Sequence, residues 1–125
     1  MSELQDGAIG FAYFIEKPKG VGCAWVASPQ IAAPSKLDPH QLAIRINGRL
    51  QHLQLSEARS GKGPISVDGI PYRLKREWSD NHVKIETYEN RIEENQSYRC
   101  TQGLLIVTMG ETTKRFPLWG LYGCE

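Results

Sequence analysis

Cysteine, histidine, clustered carboxylates and one glycine-rich lysine segment are the places where this chain of 125 residues could do chemistry. Its three cysteines, Cys23, Cys100 and Cys124, form no CxxC pair, and His40, His52 and His82 are scattered. A structural zinc site takes close pairs of thiolate or imidazole ligands, so no local metal motif is present. A cysteine nucleophile needs a base within reach and a lowered pKa. Cys23 stands in Val-Gly-Cys-Ala-Trp, with no hydrolase or protease signature around it. Gly61-Lys62-Gly63-Pro64 falls short of a phosphate loop, because Gly63 follows the lysine where a hydroxyl must reach magnesium. It reads as a turn. Glu86, Glu89, Glu93 and Glu94 would suit acid–base work only if their surroundings drove their pKa values apart. They read as a solvated strand end and loop, neutralised by Lys84, Arg91 and Arg99. The expectation is a protein without catalytic residues, metal or cofactor.

Binding is the remaining class. Fifteen Lys and Arg oppose fourteen Asp and Glu, which argues against a protein built to grip nucleic acid. The densest basic cluster is Arg73, Lys75 and Arg76, with Arg73 and Lys75 on the strand face opposite Tyr72 and Leu74. Trp25, Trp78 and Trp119 are the largest side chains. Trp78, between Glu77 and Ser79 beside a turn, has the most exposed setting and reads as a binding anchor. Residues 28–40 carry Pro29, Pro34 and Pro39 and end on His40; three prolines predict a loop laid over the surface.

The elements that position these residues repeat with period two. Residues 8–15 are rich in aromatic and branched types. Leu42, Ile44 and Ile46 alternate with Ala43 and Arg45, then Asn47-Gly48 supplies a two-residue hairpin turn. The phase change between Leu50 and Leu53 suggests a bulge. Asp68-Gly69 marks a second hairpin. Val83, Ile85 and Thr87 face inward on the next strand, and residues 89–96 read as a loop or irregular helical turn. Gly103 to Met109 is apolar on both faces, as in a strand covered on both sides. Gly110-Glu111 turns the chain into a last strand, where Pro117 suggests an edge or bulge. No apolar run reaches the roughly 18 residues of a membrane span. The fold class is all-β: a single domain, 1–125, forming an antiparallel sandwich or small barrel of about eight strands.

Returning strands would bring Cys100 beside Cys124, and a disulfide between them is the favoured pairing, although Cys23 could join either and three reduced thiols remain an alternative. The opening Met-Ser-Glu-Leu-Gln-Asp-Gly lacks the basic and apolar regions of a secretory leader. A periplasmic or secreted place is expected for a domain whose leader is absent from this chain, with the cytoplasm as alternative. Asn95-Gln96-Ser97 is a lone sequon.

Ile46-Asn47-Gly48, Tyr98-Arg99-Cys100, the strand from Gly103 to Val107 and the ending Trp119-Gly120-Leu121-Tyr122-Gly123-Cys124 together resemble small, uncharacterised bacterial cell-envelope β-domains of the exported or lipoprotein type. Lysozyme-inhibitor domains are their relatives in type of function. The resemblance implies no catalytic residues; the lack of a catalytic constellation and the proline-rich 28–40 loop suggest a non-catalytic, inhibitor-like or immunity-like domain that docks on a partner protein, with that loop as its surface and Trp78 and the Arg73–Arg76 segment beside it. The alternatives are a small-ligand carrier, its barrel cavity of about 300 Å³ or more lined by Phe11, Tyr13 and Tyr88, and, last, a cysteine-dependent enzyme.

Overall fold

Short alternating segments joined by tight turns can bury an apolar face only by pairing with their neighbours, and here they pair in chain order until the sheet meets itself. The structure, a computed structural model, describes residues 11–20, 24–25, 28–34, 40–94 and 98–123, without the side chains of residues 34, 57–64 and 93. The strands are β1 (Phe11–Phe14), β2 (Ala32–Pro34), β3 (Gln41–Ile46), β4 (Arg49–Val67), β5 (Ile70–Ser79), β6 (Val83–Glu94), β7 (Arg99–Met109) and β8 (Thr112–Tyr122). Every neighbouring pair is antiparallel, and β8 pairs back onto β1 from Phe11↔Tyr122 to Phe14↔Trp119. Of the two expected architectures, the chain forms the closed barrel.

Both hairpin signals act as their sequences dictate. Asn47 and Gly48 have φ of 52° and 79°, and Asp68 and Gly69 have 52° and 80°. Two successive positive φ values make a type I′ turn, whose twist matches the strands it joins. The interior is filled from alternate positions, with Tyr13, Leu42, Ile44, Leu53, Trp78, Ile85, Leu105 and Leu118 in one buried cluster. Val83, Ile85 and Thr87 face inward as predicted.

Several local expectations are corrected. The β3–β4 register runs unbroken from Gln41↔Gln54 to Ile46↔Arg49, so no bulge separates Leu50 from Leu53. Leu50 instead packs outward against Ala33 and Ala43. The shifts in β4 fall later, between Leu55 and Glu57 and between Ser60 and Ile65. At the second, residues 61–64 stand opposite Arg73 alone, so the glycines and Pro64 kink a continuous strand rather than end it. Residues 89–94 belong to β6, not to a loop. Within the predicted 28–40 loop, Ala32–Pro34 is a barrel strand and Ala32 and Ala33 are buried. Pro117 is accommodated opposite Leu104 within paired β8.

Two coverings explain why some strands are apolar on both faces. Beyond Leu74, β5 leaves β6, and the end of the β4–β5 hairpin lies over the outside of β6 to β8. Tyr72 packs there on Tyr88, with ring centroids 5.8 Å apart, and on Ile106; Asp68 ion-pairs with Arg115. On the other side, Trp25 seats edge-on against Phe14, in a cluster with Cys100 and Leu121. No helix among the described residues is long and apolar enough to cross a membrane.

Candidate functional site

The inward phase of β6 continues one step past Thr87 and brings Glu89 into the barrel, where its accessible surface is 0%. The inward phase of β5 likewise carries Arg76, two residues before Trp78, onto the same interior. A carboxylate accepts hydrogen bonds through both oxygens and, once buried, must have them filled. Thr101 and Tyr122 donate to Glu89 Oε1 at 2.6 and 2.5 Å, and Tyr13 donates to Oε2 at 3.0 Å. Arg76 Nη1 lies 3.6 Å from Oε2 and donates to the Tyr122 oxygen at 2.8 Å. The guanidinium thus reaches the carboxylate both directly and through the Tyr122 hydroxyl. Gly120 makes the space: a Cβ there would stand 2.5 Å from Thr101 Oγ1 and 2.9 Å from Glu89 Oε1. Thr87 is also fully buried, and its Oγ1 has no hydrogen-bond partner among the described residues.

The electrostatics of the cluster follow from burial. Desolvation, reinforced by the Glu89 charge, pushes the Tyr13 hydroxyl well above the ordinary tyrosine value; desolvation, Tyr13 and Glu89 do the same to Tyr122. Burial works against charge on Arg76, but Tyr122, Tyr13 and Glu89 outweigh it and hold the guanidinium above its usual value. A consequence is alkaline sensitivity. Below about pH 10 both tyrosines are protonated in the folded and the unfolded chain, and their contribution is constant. Above it the unfolded chain releases two protons that the folded barrel retains, so stability falls by up to about 1.4 kcal/mol per pH unit for each tyrosine. Urea midpoints measured between about pH 8 and 12 should show this slope, and the Tyr13→Phe/Tyr122→Phe double variant should lose it. An unchanged slope in that variant would place both phenols in water.

Towards the mouth carrying the β3–β4 and β7–β8 turns, the interior changes character. A cavity of about 380 Å³ opens there between the chain at Ile15 and Ile31, β3 and β7–β8. Ile44, Ile46, Leu105, Val107, Met109 and Phe116 give it apolar walls, and the exposed Lys114 is among its lining. Phe11, Tyr13 and Trp78 form a ring-to-ring layer, with centroids 4.9 to 6.2 Å apart, that lies outside this lining. The cavity is therefore not walled by Phe11, Tyr13 and Tyr88 as expected. Tyr88 faces outward, its hydroxyl donating to Glu86 at 2.9 Å.

The residues singled out from sequence do not gather into one surface. Trp78 is only 3% exposed, because it points into the barrel, and so is no docking anchor. Arg73, Lys75 and Arg76 separate: Arg76 turns inward to Glu89, Lys75 lies outside near Glu77 at 3.8 Å and over the Tyr88 ring, and Arg73 sits at the far mouth. Pro29 and His40 are exposed, whereas Pro39 lies outside the described residues, as does the Pro34 side chain. Cys100 is buried beside Trp119 in the outer cluster. Cys23 and Cys124, its two candidate partners, lie outside the described residues, as does the sequon. Glu94 pairs with Arg91 and Arg99, as its neighbours imply, but Glu89 is inside the barrel rather than in solvent. Among the described residues no three His, Cys, Asp or Glu side chains gather as a metal site. Compared with protein-family models, with curated proteins and with solved structures, the chain gives no match.

Proposed function

We propose that the barrel binds a small apolar ligand carrying an acidic end. The observation behind this reading is the apolar cavity of about 380 Å³ at the turn-bearing mouth, at the small end of the range for ligand pockets. Left unfilled, the cavity forfeits dispersion contacts along its apolar walls, which an apolar ligand would restore. Lys114, an exposed residue of the lining in strand phase with Phe116, favours an anionic group at the point where the ligand meets water. Docking of residues 28–40 onto a partner protein has less support, since a strand runs through that segment and Trp78 is enclosed.

Decanoate is a suitable probe, with 1-decanol as its uncharged counterpart. Titration calorimetry should show saturable one-to-one binding. Val107→Trp fills the cavity and should weaken decanoate by about tenfold or more, which corresponds to about 1.4 kcal/mol, while far-ultraviolet circular dichroism stays that of the barrel. Lys114→Gln should weaken decanoate and leave decanol unchanged. Equal decanoate affinity in the wild type and Val107→Trp would end the proposal.

A further inference from the structure

At the mouth opposite the apolar cavity, a basin of about 610 Å³ is lined by Arg73, Arg91 and Arg99, with Leu74 and Tyr122 among its walls. Three strands bring the arginines together. Arg91 pairs in register with Thr101 on β7, and Arg99 with Glu94 on β6. Arg73 is fixed from β5 by Asn90, whose Oδ1 accepts from the Arg73 backbone N–H at 2.9 Å while its Nδ2 donates to the Pro71 carbonyl at 2.8 Å.

Of the described side chains that line the basin, three are cationic and none is a carboxylate. Glu94 approaches from the rim, 3.0 Å from Arg91 Nη1 and 3.6 Å from Arg99 Nε. One carboxylate shared between two guanidinium groups leaves most of their ten N–H donors to be met by something else. Below the basin, Arg76 and Glu89 compensate each other, so the interior cancels none of the positive field at the mouth. A planar guanidinium fork matches carboxylate and phosphate oxygens two at a time.

We propose that this second mouth binds an oxyanion carried on a small organic body, with the anion held by Arg73, Arg91 and Arg99 and the body lying against Leu74 and the Tyr122 ring. The basin is several times larger than a bare phosphate needs, and its apolar walls have no use for one. The site is independent of the apolar cavity, from which the aromatic layer separates it.

Benzoate, phenyl phosphate and inorganic phosphate serve as probes on the full chain. Benzoate or phenyl phosphate should bind saturably, with affinity falling as salt is raised, because the arginines are half exposed. Arg73→Gln/Arg99→Gln should weaken that binding by about tenfold or more, whereas Val107→Trp should not alter it. Nuclear magnetic resonance of the unmodified protein gives a test free of folding artefacts: the arginine Nε–Hε signals and the Thr101 and Tyr122 amides should shift on titration. Binding unaffected by the double substitution, or no saturable shift at those signals, would overturn the site. Inorganic phosphate binding as tightly as phenyl phosphate would overturn the organic body.

Discussion

Replacing Glu89 by alanine is expected to lower the unfolding free energy by about 3–5 kcal/mol, the range found when one partner of a buried ion pair is removed. Three hydroxyl donors, on Tyr13, Tyr122 and Thr101, lose their acceptor at once, and those of Tyr13 and Thr101 belong to buried residues. Arg76 keeps its charge and loses its counterion. Its side chain is 25% exposed, so it regains some hydration, which puts the loss nearer the lower end of the range. Glu89→Gln separates shape from charge. The amide oxygen can still accept, but its NH2 must then face hydroxyl donors or the guanidinium, so a loss of about 1–3 kcal/mol is expected. Arg76→Met in the Glu89→Ala background should cost less than in the wild type, by a coupling energy of about 0.5–3 kcal/mol. Urea denaturation of the four proteins measures the cycle. A loss below about 1 kcal/mol for Glu89→Ala would mean that water already solvates the carboxylate in the folded barrel.

The position of that carboxylate was written in the strand phase but masked by its chemistry. Val83, Ile85 and Thr87 announce the inward face of β6, and the next residue in phase is Glu89. A charge at an inward position normally ends a strand assignment, because burying it alone is prohibitive. Here the compensation comes from Arg76, which is in phase with Trp78 on the adjacent strand, and from tyrosines on β1 and β8. Such partners are visible only once the barrel closes and sets β1 against β8. The type I′ turns, by contrast, were legible because Asn-Gly and Asp-Gly act locally. Trp78 is hidden from a sequence reading in the same way as Glu89: its neighbours Glu77 and Ser79 are polar because they occupy the other face. The double-sided apolarity of Gly103 to Met109 was also read correctly, although what covers the outer side, the end of the β4–β5 hairpin, needed the kink at residues 61–64 to come within reach.

Gly103→Ala should destabilise the barrel by about 3 kcal/mol or more, the upper end for overpacking, against the usual rule for a strand glycine. Alanine in an extended segment ordinarily gains about 0.5–1 kcal/mol over glycine by reducing the freedom of the unfolded chain. At 103 the added Cβ would stand 1.7 Å from the Tyr88 carbonyl oxygen and 3.0 Å from the Glu89 Cα. Both obstacles are backbone, so no side-chain rotation relieves them. The strands must part where Glu89 pairs with Gly103, and β7 cannot retreat freely because it is also paired to β8 from Arg99 to Met109. The same displacement would pull Glu89 away from Thr101 and Tyr122. Gly120→Ala provides the contrast. Its Cβ meets Thr101 Oγ1 and Glu89 Oε1, the ends of side chains that can shift, so its cost should be smaller and should shrink further in the Glu89→Ala background. Thermal and urea unfolding of both glycine variants, with and without Glu89→Ala, tests the ordering. If Gly103→Ala melted at or above the wild-type temperature, β6 and β7 would not approach as closely as this register requires.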